Sequence, residues 1–280
     1  MAESDKKKIL ETIFCLKEDT ASDDKARFNE FWENVEDCKI QDNVTEKWSD
    51  SNFDKSLKLL KETFEKGNYD CLVLAVSSHG KEKDNGNDVV SFEIVWKHRA
   101  MGQKYKIDRL FEHFDKTDKM KIFLLQMCRN RNEDTVTKDG TDHGVSHSST
   151  FPDLRQPSNP KSDTLHQSQS EGSFLKETNV VWPKTWKLAQ PCIKNSITFF
   201  SAPSGFKSWT TNNLQNDAGG WLFLCMRKLI KDIKKQKMSV MDLFLMVNKE
   251  MSQMETTKDQ YVVLSSFNHM LTEDIFINIK

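Results

Sequence analysis

Apolar positions recur along the chain in two rhythms. Ile9–Leu16, the unbroken apolar runs Cys71–Val76 and Ile122–Leu125, and Ile197–Phe200 have the length of buried strands. Between them, Phe28, Phe31, Trp32 and Val35 follow the i, i+3, i+4, i+7 spacing of one helix face. Phe53, Leu57, Leu60 and Phe64 repeat it, and so do Ile107, Leu110, Phe111 and Phe114. Ser51 with Asp54 resembles a capping box for the second of these helices, and Gly67 stands where it should stop. Further on, Gly220–Ile233 predicts a helix that is lysine-rich toward its C-terminal end, as the macrodipole favours. Another helix opens at Ser239 with Asp242, and Tyr261–Leu264 and Ile275–Ile279 read as closing strands. Fully apolar strands alternating with amphipathic helices predict an α/β sheet with helices on both faces. There is no internal repeat.

One stretch breaks the pattern. From about residue 130 to 173 the large apolar residues are Val136, Val145, Phe151, Leu154 and Leu165, amid Ser, Thr, Asp, Asn, Gln, His, Pro and Gly. Such a segment buries too little apolar surface to offset its ordering entropy, which predicts a flexible linker. All six prolines lie between Pro152 and Pro203. The 280 residues therefore resolve into one α/β body in two portions, 1–131 and 177–280, around a polar linker at 132–176.

Charge removes some functions. With 41 Lys+Arg against 42 Asp+Glu the formal net charge is −1, so the basic excess of a nucleic-acid or membrane-surface protein is missing. The longest apolar runs, Cys71–Val76 and Trp221–Met226, are far too short to span a bilayer. Glu11, Lys17 and Glu18 interrupt any signal-peptide core after Lys6–Lys8. Only about eight residues precede the first predicted strand, which leaves no room for a long leading segment. Six scattered cysteines without a C-x-x-C pair read as reduced cytoplasmic thiols, neither a disulfide frame nor a zinc site.

Ligands bind α/β sheets at the carboxyl ends of parallel strands. Two predicted strands end in residues capable of chemistry: Cys71–Val76 runs into Ser77-Ser78-His79-Gly80, and Ile122–Leu125 into Gln126-Met127-Cys128-Arg129. A histidine and a cysteine at neighbouring strand ends can form a thiol–imidazole pair, the thiolate acting as nucleophile. The ordinary reading applies elsewhere. Cys15, Cys71, Cys192 and Cys225 are taken as small buried hydrophobes, His98, His113 and His269 as loop residues, and His143, His147 and His166 as solvated.

Ser78-His79-Gly80, followed downstream by Gln126-Met127-Cys128-Arg129, resembles the caspase family of cysteine proteases, whose Q-A-C-[RQG]-G signature has its histidine about 50 residues upstream. Past the linker, Ser201-Ala202-Pro203-Ser204-Gly205-Phe206-Lys207-Ser208-Trp209 resembles the family's specificity strand, and Gly219-Gly220-Trp221 the turn after it. The Val262–Ile277 region resembles the family's closing strand. This resemblance implies a caspase-like single domain, α/β in class: a mostly parallel six-stranded sheet, with large- and small-subunit portions joined by the linker. It further implies that Cys128 attacks the scissile carbonyl, that His79 handles the proton, and that the backbone N–H groups of Gly80 and Cys128 form the oxyanion hole. Gln126, Ser208, Trp209 and Thr210 would bind substrate. As in a zymogen, Asp139, Asp142, Asp153 and Asp163 would be processing sites. The implied partners are a peptide or protein substrate, a second copy or another caspase, and caspase inhibitor proteins, with no nucleic acid and no membrane. The implied setting is apoptosis in the cytoplasm. Neither a cofactor nor a metal is called for.

The sequence departs from that pattern where the family holds a substrate aspartate. The small-subunit arginine should follow Trp209, where Thr210 stands, and Glu18 or Asp19 takes the place of the large-subunit arginine. Arg27 lies on a helical stretch that spacing alone does not bring to the pocket. A carboxylate bound without its cationic partners costs roughly 3–5 kcal/mol relative to the paired state. Met127 replaces the motif's alanine beside the nucleophile, Asn130 its glycine, and the interval from Trp209 to Trp221 is long for the family. Two readings follow: a caspase-type endopeptidase of altered or relaxed specificity, and a non-catalytic homologue that regulates an active caspase by pairing or by competing for inhibitors.

Overall fold

In a computed structural model the described residues are 7–16, 21–42, 48–83, 89–94, 103–129, 192–203, 208, 210–211, 219–254 and 265–280. The chain divides into a main unit, 1–146 with 189–280, and a second, 147–188, which lies wholly outside the described residues. So does the predicted linker at 132–176.

The main unit opens with β1 (Ile9–Cys15), α1 (Ala21–Glu33), β2 (Cys38–Ile40), α2 (Asp50–Lys66) and β3 (Cys71–Ser77). Next come β4 (Gly80–Lys83), β5 (Val89–Ile94), β6 (Gln103–Lys106), α3 (Ile107–Glu112) and β7 (Met120–Gln126). The remainder supplies β8 (Ser196–Phe200), β9 (Thr210–Thr211), β10 (Gly219–Gly220), α4 (Trp221–Asp232), β11 (Lys237–Ser239), α5 (Val240–Ser252), β12 (Ser266–His269) and β13 (Phe276–Asn278). Six strands form the central sheet in the order β12-β8-β7-β3-β1-β2. All its pairings are parallel except that of β12 with β8, so the sheet is the mainly parallel one expected.

Strand alternation divides the core between the two faces. Cys71, Val73 and Ala75 of β3 join Met120, Ile122 and Leu124 of β7 on the face covered by Phe28, Phe31 and Trp32 of α1 and by α4 and α5. Leu72, Leu74 and Val76 join Phe123 and Leu125 on the other, against Phe53, Leu57, Leu60 and Phe64 of α2 and against α3. Burial on both faces is why these strands read as continuous apolar runs.

The helix signals are corrected in detail. The N-cap of α2 is Ser49, whose hydroxyl accepts from Asn52 N–H at 3.2 Å, not Ser51. Asp54 is used elsewhere: it accepts from the Tyr105 hydroxyl at 2.6 Å and pairs with Arg109. Gly67 does end α2, in extended backbone; a Cβ there would overlap the Tyr69 ring and the Thr63 carbonyl. Ser239 caps α5 as expected, accepting from Met241 and Asp242 N–H.

Tyr261–Leu264 lies outside the described residues, and the strand that closes the central sheet is Ser266–His269. The predicted strand near Ile275–Ile279 forms, but as β13 it pairs with β11 in a separate two-stranded sheet. The β4-β5-β6 sheet, inserted between β3 and α3, has no counterpart in the apolar pattern.

Candidate active site

Parallel register brings the two chemical strand ends side by side. Pairing of β3 with β7 runs from Cys71↔Met120 to Ser77↔Gln126, and Ser78 N–H then donates to the Gln126 carbonyl at 3.1 Å. Two residues past that last pair, on each strand, lie His79 and Cys128. The backbones stay in contact past the last pair, because a Cβ on Gly80 would overlap the Cys128 carbonyl oxygen and come within 2.9 Å of Met127 Cβ. Glycine is required at 80 for this close approach. Met127 belongs to the buried core on the α2 face, which is where strand alternation sends it.

Cys128 is 4% exposed and His79 is half-buried. The Cys128 sulfur accepts from Ser208 N–H at 3.3 Å and faces the Ser208 carbonyl at 3.6 Å. The Ser208 hydroxyl accepts from Gln126 Nε2 at 2.6 Å and lies 2.7 Å from Ser201 Oγ, which accepts from Met127 N–H at 3.0 Å. The other end of the Gln126 amide accepts from Leu222 N–H, in the first turn of α4, at 3.2 Å. One buried network thus joins Gln126, Ser201, Ser208 and Cys128. Thr210 also reaches this wall through its backbone, as β9 pairs Thr210 with Gly220, whose α-carbon packs on the Gln126 side chain. Trp209, Glu18, Asp19, Asp139, Asp142, Asp153 and Asp163 lie outside the described residues.

Cys71 and Cys225 are the buried small hydrophobes expected, whereas Cys15 and Cys192 are only half-buried. All six cysteines are free, and burial pushes the Cys71 and Cys225 thiols up to about 12, too high for a nucleophile at neutral pH. His113 is no plain loop residue: it ends α3 with Nε2 3.3 Å from the Asp54 carboxylate.

Two residues of α1 with no assigned role, Asp24 and Arg27, stand behind the pocket. Asp24, fully buried, accepts from Gly220 N–H at 2.6 Å through Oδ1 and from the Ser77 hydroxyl through Oδ2. Arg27, also buried, packs its guanidinium against Gly219, where the backbone takes φ +116°. The structure therefore brings Arg27 to the back of the pocket wall, where spacing alone had not. The signal was present in the α1 stripe: one turn before Phe28 and Phe31 the same buried face carries Asp24, with Arg27 beside it.

The caspase-domain family model matches residues 21–276. A crystal structure of caspase-1 from Spodoptera frugiperda superposes with a TM-score of 0.59 at 15% identity, over 96% of this chain and 88% of that one. No curated protein matches the sequence. The sheet order, the paired strand ends and the family match agree, and the chain belongs to the caspase family. Members of that family act on protein substrates and commonly dimerise. No helix among the described residues is long and apolar enough to cross a membrane.

Proposed function

We propose that this protein is a caspase-type cysteine endopeptidase with altered primary specificity. The observation that carries the reading is the adjacency of the two strand ends, with Gly80 packed on the Cys128 backbone where His79 leaves β3. The Cys128 thiolate adds to the scissile carbonyl carbon, and the N–H groups of Gly80 and Cys128 receive the developing oxyanion. The tetrahedral intermediate collapses to a thioester as the amine departs with a proton from His79. Water then attacks the thioester, giving a proton to His79 and releasing the acid product and the Cys128 thiolate.

Specificity follows from what surrounds Gln126. Both ends of its amide are engaged, by Ser208 and by Leu222, and the position after Trp209 is Thr210. A substrate aspartate entering there would forfeit the family's two arginines, a loss of about two to four orders of magnitude in affinity. A neutral side chain carries no such cost. Specificity for small or amidated side chains is therefore the expectation.

A second reading is favoured by one contact. The Cys128 sulfur is held against the Ser208 backbone, and a chain whose thiol stays there would fold as a caspase and regulate an active one without cutting. Either role fits pairing through β12, which borders the sheet with β8 on one side, since strand edges template association. That pairing would join a second copy or another caspase, and caspase inhibitor proteins are the competing ligands, in apoptosis within the cytoplasm.

Mixed-residue peptide-library profiling tests the proposal. Wild type is expected to cleave after neutral residues, and Cys128→Ala to lose at least about a thousandfold in rate. Equal residual cleavage by the two proteins would contradict it. No cleavage by either, together with a shifted activity of a partner caspase, would establish the regulator.

A further inference from the structure

The nucleophile's arm and the histidine's strand share one anchor outside the catalytic pair. Ser77 and Gln126 end β3 and β7 in register, and alternation puts both side chains on the sheet face that α1 and α4 cover. The Asp24 carboxylate accepts from the Ser77 hydroxyl with one oxygen and from Gly220 N–H with the other. From Ser77 the chain continues through Ser78 to His79. From Gly220 it continues into α4, whose Leu222 N–H holds Gln126, and Gln126 holds the Ser208 that touches the Cys128 sulfur. Arg27, one turn along α1, lies against the same Gly219 α-carbon: a Cβ there would overlap its Nη1 and lie 2.8 Å from Asp24 Oδ1. Among the described residues, the charged groups that meet at Gly219 are Asp23, Asp24 and Arg27 of α1.

We propose that Asp24 is a positioning residue that sets the distance between the His79 strand end and the Gln126–Ser208 arm around Cys128. This rests on reading Cys128 and His79 as the catalytic pair. A carboxylate suits the place because two donors on different elements, a hydroxyl and a backbone amide, converge on it, and each of its oxygens takes one. A buried carboxylate also needs a compensating charge, and Arg27 beside it supplies one. Serine at 77 is used because a short hydroxyl on the last paired residue of β3 reaches α1 without opening the sheet.

The test is the pH profile of Cys128 alkylation by iodoacetamide, followed by peptide mass spectrometry in the full chain. Accessibility scales the rate at every pH alike, whereas the midpoint reports the thiol–imidazole pair. Wild type, His79→Ala, Ser77→Ala and Asp24→Ala are compared, with Asp24→Asn/Arg27→Gln as the neutral pair, whose Asn oxygen still accepts from Gly220 N–H while its amide nitrogen donates to the Ser77 hydroxyl oxygen. His79→Ala and Ser77→Ala are each expected to raise the midpoint by about one pH unit, which lowers the rate near neutral pH by about tenfold. The neutral pair is expected to stay within about threefold of wild type. If His79→Ala moves the midpoint and neither Ser77→Ala nor Asp24→Ala does, the positioning role is overturned while the catalytic pair stands. If His79→Ala leaves the midpoint in place, the catalytic pair fails and the positioning role with it. Should Asp24→Ala not fold, Ser77→Ala, a small change that leaves the Asp24 and Arg27 charges untouched, decides the matter.

Discussion

Glu11 sits inside the sheet, between Ile9 and Ile13 of β1, and is fully buried. Burial pushes its carboxyl up to about 9; the Cys38 thiol beside it opposes this only in part, and Glu33 adds to it. The group is therefore neutral in the folded protein at pH 7 and ionised in the unfolded chain. An acid whose folded pKa is raised releases its proton first on unfolding, so stability falls as pH rises from about 4.5 toward 9. At pH 7 the cost is on the order of 3–4 kcal/mol. Glu11→Gln keeps the shape and removes the titration. Urea unfolding should show its advantage over wild type growing by about 1 kcal/mol per pH unit between pH 5 and 8, and a constant difference would contradict the assignment. At this scale the sequence was readable only where residues formed a pattern. His79 and Cys128 stood out because both end apolar runs in a spacing with a known chemical use. Asp24, Ser77 and Ser201 did not, because a single polar residue on an apolar stripe shows its purpose only when its partner arrives from far along the chain, as Gly220 does for Asp24.

Elements with a clear periodicity were legible in kind but not in their ends: Val35 lies past α1 and Phe114 past α3. The Phe28–Val35 and Phe53–Phe64 stripes predicted α1 and α2, and both are buried as expected. What failed was local competition: Ser49 and Ser51 are equal candidates on paper, and Ser49 wins because α2 starts at Asp50 and Asp54 turns toward Tyr105. The β4-β5-β6 sheet was missed because its strands are short and broken by charge, as in Lys81-Glu82-Lys83, so period two is hidden. The β10–α4 junction makes a prediction at this scale. Gly219→Ala places a side chain at φ +116° and into Arg27 and Asp24. A loss of at least about 2 kcal/mol is expected in chemical unfolding, with a lower Cys128 alkylation rate. Wild-type stability would contradict the tight packing there. Ser239→Ala, removing the acceptor for two N–H groups of α5, should cost about 1 kcal/mol, measured in the same way.

The whole molecule is a caspase-family body whose charge is balanced overall and unusual locally. The near-zero net charge provides no basic excess for a polyanionic partner, and on the reading proposed above Thr210, whose backbone pairs with Gly220, takes the place of the family's arginine while Gln126 has both ends of its amide engaged. If the pocket does not hold aspartate, the chain does not process itself at Asp139, Asp142, Asp153 or Asp163. Purified wild-type protein should remain one chain for hours and be cut in two by an added aspartate-specific caspase, as read on a denaturing gel. Rapid self-cleavage abolished by Cys128→Ala would show instead that the pocket accepts aspartate. The central claim, that Cys128 is a nucleophile served by His79, is tested most directly by trapping. Intact-mass and peptide mass spectrometry would follow reaction with a pool of peptidyl acyloxymethyl ketones carrying neutral or acidic end residues. The account predicts one adduct, on Cys128, formed fastest with neutral reagents and at least about a hundredfold slower in His79→Ala. No adduct, or adducts spread over the other cysteines at equal rates in both proteins, would contradict it.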